Sequence, residues 1–201
     1  SPTYWQHSQF PVEYATKIKV IHDGVNTEAC KPLSGRKLVL PHIGLDLSQA
    51  KEIVTYVGRG MEPYRGFPQF MEAVAALQQR RPHCHVVLVG GEGVFYGTPP
   101  AEGQTWKEKA LAELPLDRSR IHFTGYLNRS DFLTVLQAST VHVYLTRPFV
   151  LSWSLLEAMS AGCAVVASAT APVTEVIQDG VNGLLADFFS PQQLAARIEE
   201  A

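Results

Sequence analysis

The 201-residue sequence predicts an α/β domain in which a parallel sheet carries helices on both faces. Three observations predict it. Short apolar runs alternate with amphipathic stretches along the chain, the pattern of repeated βαβ units. Hydrophobic residues make up 46% of the chain and charged residues 18%, which suits strands buried on both faces better than a coiled coil or a disordered chain. A length of 201 residues is enough for one large domain with a substantial core.

Six apolar runs are the expected strands: residues 18–22, 53–57, 85–89, 121–124, 141–145 and 164–167. Helices fall between them. Phe67, Phe70, Met71, Val74 and Leu77 recur at helical spacing until Arg81-Pro82 ends that helix. Residues 106–114 give a second helix, closed by Pro115, and residues 130–137 a third. A fourth spans 152–161, opening at Ser152 and ending at Gly162, and a short fifth spans 172–178. Ser190 and Gln193 have capping-box spacing and start a last helix. The stretch from Lys37–Leu40 to Ala50 reads as a hairpin or insertion, and 90–103, rich in Gly and Pro, as a mobile loop.

A net charge of -2 provides no global basic field, so nucleic acid is not an expected partner and any phosphate site must be local. Cys30, Cys84 and Cys163 are odd in number and far apart, with no CxxC pair. They support neither a disulfide framework nor a zinc site, and read as buried thiols of a reducing, cytoplasmic compartment. No apolar run approaches the roughly 20 residues of a membrane span. No leader pattern is visible, although Ser1 in place of a methionine suggests a fragment. His83 and His85 flank Cys84 at a strand start and read as strand packing. No D-x-D pair offers carboxylates to a divalent ion, so neither a metal nor a cofactor is expected.

Ligands of parallel sheets bind outside the carboxyl ends of the strands, which directs attention to four segments. After the second expected strand, Gly58-Arg59-Gly60-Met61-Glu62-Pro63-Tyr64-Arg65-Gly66 places two arginines around a turn before a helix. Guanidinium forks match phosphate oxygens and helix N-termini add partial positive charge. The stretch reads as a diphosphate clamp in preference to two surface arginines, one of them paired with Glu62. Next, Val89-Gly90-Gly91-Glu92-Gly93 lets backbone approach a ligand, and an ordinary tight turn explains it equally well. Both glycine runs fail as dinucleotide fingerprints: the third glycine slot holds Tyr96 in one and Pro63 in the other. In Phe123-Thr124-Gly125-Tyr126-Leu127, Tyr126 reads as a packing residue rather than a base-stacking one. Finally, Arg147-Pro148-Phe149-Val150-Leu151-Ser152-Trp153-Ser154-Leu155-Leu156-Glu157 opens a helix whose serines and free N–H groups suit an anion. Glu157, early in that helix, can accept from two vicinal hydroxyls of a ribose or simply complement the helix dipole. His22-Asp23-Gly24 hints at acid–base chemistry.

These segments, with the run LLEAMSAG over 155–162, Glu175, and Asp179-Gly180-Val181-Asn182-Gly183, resemble the C-terminal half of retaining GT-B glycosyltransferases of family 4, the group 1 glycosyl transferases. The resemblance covers essentially the whole chain. It implies a Rossmann-like, nucleotide-sugar-binding domain from residue 18 to 201, with residues 1–17 as a linker or the end of a preceding domain. It implies a UDP- or GDP-sugar as partner and an acceptor domain N-terminal to this chain. Peripheral membrane association could come through that domain. Arg59 and Arg65 take the catalytic role, gripping the diphosphate; Arg65 stands where the family often has lysine. The Gly91 loop passes near the nucleotide, and backbone around Tyr126 and Leu127 lines the base pocket. Ser152, Trp153, Ser154 and Leu155 border the donor. The family carries two glutamates eight positions apart: Glu157 matches the second, the ribose contact, and Phe149 replaces the first, beside the sugar. Ser152 and Ser154 substitute for that first glutamate in part. The family also has a loop of the His22-Asp23-Gly24 type at its interdomain cleft, which implies a structural role for that segment. The chain alone is expected to bind donor weakly or not at all. Two rivals remain: an inactive nucleotide-binding or scaffolding domain, motivated by Phe149, and an NAD-dependent oxidoreductase, disfavoured by the failed fingerprints.

Overall fold

A computed structural model describes residues 1–101 and 103–201. From the N-terminus, α1 (Tyr4–Ser8) precedes a two-stranded antiparallel hairpin of β1 (Val39–Leu40) and β2 (Leu45–Asp46). The main body then alternates: β3 (Glu52–Gly60), α2 (Phe67–Arg80), β4 (Cys84–Gly91), α3 (Trp106–Glu113), β5 (Ile121–Gly125), α4 (Arg129–Ala138), β6 (Val141–Tyr144), α5 (Trp153–Ser160), β7 (Ala164–Ser168), α6 (Ala171–Thr174), β8 (Leu184–Ala186) and α7 (Pro191–Glu200). The last six strands form one sheet in the order β5-β4-β3-β6-β7-β8, every pairing parallel. Relabelled from β3, this is the doubly wound order 3-2-1-4-5-6.

Period-2 side-chain alternation divides the core between the two faces. Val54 and Tyr56 of β3, Val86 and Leu88 of β4, Val143 of β6 and Val166 of β7 pack with Phe67, Phe70, Val74 and Leu77 of α2 and with Leu194 and Ile198 of α7. On the other face Tyr144, Val165 and Ala167 meet Leu136, Leu155, Ala158 and Val173 from α4, α5 and α6. The hairpin adds Leu38, Leu40, Leu45 and Leu47 over Ile53, Val87 and Val89. This segment was expected as a hairpin or insertion, and it serves as an extra cover for the sheet.

The elements depart from the sequence reading in several places, among them a helix at Tyr4–Ser8 that was not expected and a fifth helix cut to Ala171–Thr174. Residues 18–22 form no strand; Ile21 is exposed, and apart from local bonds to Ala15 and Gly24 the segment bonds to the first residue, through Ser1 N to Lys19 O (3.0 Å) and Ile21 N to Ser1 O (2.8 Å). Its β-branched residues favour extended backbone, but strand propensity expresses fit to a neighbouring strand, and here none is offered. β8 was not anticipated, because three residues are too few to show alternation. At α7, Ser190 accepts from Gln193 N at 3.3 Å, but the Gln193 side chain accepts from Asp187 N at 2.7 Å, so the box is half made. A complete box instead opens α3, between Thr105 and Glu108. The 90–103 stretch, expected to be mobile, is tethered. Trp106 Nε1 donates to Thr98 O (3.0 Å), Lys107 pairs with Glu92 (2.6 Å), and two amides bond to Glu62; residue 102 lies outside the described residues.

Candidate functional site

In this order β3 and β6 are neighbours whose connections leave in opposite directions, one toward β4 and the other toward β7. Such a switch point opens a crevice at the carboxyl ends of the two strands. The segments after β3 and β6 meet there: Arg147 N donates to Tyr64 O at 3.0 Å. Gly66, at φ 69°, closes the turn between them, and a Cβ there would press on Leu145 Cβ at 2.7 Å. The two glycine runs that failed as fingerprints have a packing explanation. A Cβ on Gly90 would collide with Gly58 O, and one on Gly60 with Gly93 O, so the ends of β3 and β4 cross backbone to backbone.

Arg59 and Arg65 both lie at this end of the sheet, one in the last residues of β3 and the other in the turn that follows. Arg59, at the end of β3, is exposed and lays its guanidinium over the Phe95 ring, 4.3 Å from the centroid. Arg65 leaves the turn Pro63–Arg65 and points Nη1 at Thr146 Oγ1 (2.9 Å), Tyr144 Oη (3.3 Å) and Val150 O (3.3 Å). The same Tyr144 hydroxyl accepts from Ser152 N at 2.8 Å, which ties Arg65 to the N-terminus of α5. Burial pushes the Tyr144 phenol up, and the Arg65 charge opposes that rise. Arg65 also faces Phe149 (5.5 Å) and Tyr96 (5.9 Å). Tyr64, Tyr96 and Phe149 touch one another, with centroids 4.9–6.2 Å apart. Neither arginine makes a carboxylate pair among the described residues, and Glu62, considered as such a partner, instead accepts two backbone amides.

At α5, Ser152 is the N-cap, its Oγ accepting from Ser154 N at 3.4 Å and lying 3.1 Å from Ser154 Oγ. Trp153 is exposed, and its indole donates to Asp23 Oδ2 at 2.7 Å, so the His22-Asp23-Gly24 loop is anchored to this helix start. Leu155 is fully buried in the α5 core; only its backbone can face a ligand, and its N–H donates to Ser152 O at 3.3 Å. Glu157 is largely covered, and its Oε1 takes Arg129 Nη1 at 2.6 Å. Sequence reading missed that partner. The Asn128 N-cap signal places Arg129 at a helix start, but the contact spans 28 residues and depends on α4 lying beside α5. Arg129 also donates to Cys30 Sγ at 3.1 Å.

Gly91 ends β4 beneath Tyr126: a Cβ on Gly91 would lie 2.5 Å from the Tyr126 hydroxyl. That hydroxyl donates to Arg59 O at 2.9 Å, so Tyr126, though 66% exposed, packs across strand ends. Leu127 is partly buried against the hairpin core. Contacts therefore join Arg59, Gly91 and Tyr126 in one group, and Arg65, Phe149 and, through Tyr144, Ser152 and Ser154 in another. Glu157 lies farther along α5 beside Arg129. The Leu127 and Leu155 side chains belong to the core. Sequence reading also missed Phe95, Tyr96 and Tyr144. A broad concavity lined by Asp46, Lys51, Glu52, His83 and His85 lies at the amino ends of β3 and β4, away from these groups. Among the described residues no cluster of His, Cys, Asp and Glu could hold a metal ion, and no helix is long and apolar enough to cross a membrane.

Residues 44–201 match the family described as "Glycosyl transferases group 1", and residues 1–30 match "Glycosyl transferase family 4 group". Among curated proteins, the chain is 26% identical over 181 residues to D-inositol 3-phosphate glycosyltransferase of Corynebacterium glutamicum (strain R), covering 89% of this chain and 42% of that protein. It is 29% identical over 202 residues to alpha-maltose-1-phosphate synthase of Mycolicibacterium smegmatis, covering 96% and 48%. The chain thus spans about half the length of these relatives. Among solved structures, Anabaena Alr3699/HepE in complex with UDP and glucose superposes with a TM-score of 0.80 at 24% identity, over 100% of this chain and 52% of that one. The same protein with UDP-glucose gives 0.74 at 25% identity, over 92% and 48%.

Proposed function

The chain belongs to the glycosyl transferases group 1 family, and from that premise we propose that it is the nucleotide-sugar-binding half of an enzyme that transfers a sugar from a nucleotide diphosphate donor to an acceptor hydroxyl. The observation that carries this reading is the convergence of Arg65 and the α5 N-terminus on one tyrosine hydroxyl, Tyr144, at the β3/β6 switch point, with Arg59 at the end of β3. A leaving diphosphate accumulates negative charge, and two guanidinium groups with a helix N-terminus stabilise that charge as it develops. In this reading Arg59 and Arg65 grip the diphosphate, Glu157 accepts from the ribose hydroxyls, and the Gly91–Tyr126–Leu127 backbone borders the base. Phe149, Ser152, Trp153, Ser154 and Leu155 border the sugar and phosphates, the last through its backbone. The UDP and UDP-glucose complexes of the related Anabaena protein support a UDP- or GDP-sugar as donor.

The reaction retains the anomeric configuration and needs neither metal nor cofactor. The acceptor is bound by a preceding domain, of which residues 1–17 are the end or the linker, and the family match at residues 1–30 supports that continuation. The enzyme works in the cytoplasm, with any membrane contact supplied by the preceding domain. A panel of nucleotide sugars offered to the whole protein, with products read by mass spectrometry, tests the proposal. Thermal protection by UDP or GDP but not by NAD, together with transfer from one donor class, is the expected result. Protection by NAD alone overturns it. A second reading, a nucleotide-binding domain without turnover, is favoured by Phe149 in the place of a glutamate; protection by UDP or GDP without transfer or hydrolysis supports that reading instead.

A further inference from the structure

Glu62 is the most deeply placed charged residue near the crevice, and the proposed mechanism does not use it. Its side chain is 0% exposed. Oε2 accepts the backbone N–H groups of Phe95 (3.0 Å) and Tyr96 (2.8 Å), whereas Oε1 is buried without a partner. A buried carboxylate is costly unless its oxygens are hydrogen-bonded, so the two amides that meet Oε2 are firmly held. What these bonds hold is the loop after β4, whose consecutive rings lie over the two arginines: Phe95 on Arg59 at 4.3 Å, and Tyr96 on Arg65 at 5.9 Å. Glu62 itself sits between them in sequence, three residues after Arg59 and immediately before the Pro63–Arg65 turn.

An arginine stacked on an aromatic face is fixed in its plane, while its in-plane N–H groups stay available to oxyanions. Arg65 commits only Nη1 to protein acceptors, and the Arg59 guanidinium makes no hydrogen bond to the described residues. We propose that Glu62 is a positioning residue for the diphosphate. Through the two amides it holds the Phe95 ring under Arg59 and the Tyr96 ring, with Phe149, beside Arg65, so that the free guanidinium N–H groups are preset for a pyrophosphate. The inference rests on the nucleotide-sugar reading above and extends it to a group that touches neither nucleotide nor sugar.

The test separates the diphosphate from the rest of the nucleotide. Calorimetry on the whole protein gives the dissociation constants of UDP against UMP, and of GDP against GMP; their ratio measures what the second phosphate adds. Glu62→Ala, Phe95→Leu and Tyr96→Leu are each expected to shrink that ratio about fivefold to thirtyfold, leaving monophosphate affinity within about twofold. Glu62→Gln, which keeps a carbonyl acceptor for the two amides, is expected to restore most of it. Phe95 and Tyr96 are each 41% exposed, so their variants keep the fold even where Glu62→Ala does not. An unchanged ratio in Phe95→Leu and Tyr96→Leu, with wild-type protein binding diphosphates well, overturns the positioning role alone. Equal loss of mono- and diphosphate affinity means Glu62 is merely structural and also overturns it. Failure of the wild-type protein to prefer diphosphate over monophosphate overturns the nucleotide-sugar reading itself, and this proposal with it.

Discussion

Replacing His142 with asparagine should flatten the acid end of the stability profile. His142 lies mid-strand in β6, fully buried; its Nδ1 is 2.9 Å from Thr55 Oγ1 and its Nε2 has no partner. Burial pushes its pKa down from 6.5 to about 4. The unfolded chain therefore takes up a proton as pH falls through 6.5, whereas the native state declines it until about 4. Over that window the unfolded state binds more protons, so stability falls as pH falls. At 1.36 kcal/mol per pH unit, the difference between 6.5 and about 4 amounts to about 3 kcal/mol near pH 4. That is a large fraction of the roughly 5–15 kcal/mol that holds a typical domain together. His85 and His122, also pushed down chiefly by burial, add to the wild-type slope but are common to both proteins. His142→Asn keeps a polar atom facing Thr55 and cannot titrate. Urea unfolding at intervals between pH 7 and pH 4 is the assay. The variant should be weaker than wild type at pH 7 and should lose about 3 kcal/mol less on acidification. A wild-type-minus-variant difference that stays constant with pH would refute the reasoning, because the neutral buried imidazole would then contribute nothing to proton linkage.

Other expectations follow from the site. Glu157→Gln should weaken nucleotide binding by about 1.5–3 kcal/mol, the scale of a hydrogen bond to a charged group; unchanged affinity by calorimetry would leave Glu157 with only the helix dipole and Arg129. Gly90→Ala should destabilise the fold by about 3 kcal/mol or more, because the added methyl meets the Gly58 carbonyl at φ 134°. Gly91→Ala should be milder and relieved by Tyr126→Ala, since there the obstacle is a side chain; thermal melts of the single and double variants compare them. Phe149→Glu should alter donor preference more than nucleotide affinity, in competition assays with sugars differing at one hydroxyl; equal loss across all donors would make Phe149 plain packing.

The sequence by itself determined the layered α/β architecture. Phe67, Phe70, Val74 and Leu77 repeat at a period that only a helix can bury on one side, and runs such as 85–89 are apolar at consecutive positions, as strands covered on both faces must be. It also pointed to the carboxyl edge of the sheet as the place to expect a ligand, because a parallel sheet leaves its loops and helix N-termini at the carboxyl ends of the strands. What the sequence misjudged was pairing: residues 18–22 have strand composition but meet no partner strand, while Leu184–Ala186 have little composition signal and gain a partner in β7. Only the tertiary structure decided which polar groups meet. Arg59 and Arg65 were visible as charges. That Phe95 and Tyr96 lie over them, that Tyr144 reaches Arg65, and that Arg129 holds Glu157 are contacts across 28 to 79 residues of chain. Local propensity carries no record of such distances; they are set by the strand order that makes β3 and β6 neighbours.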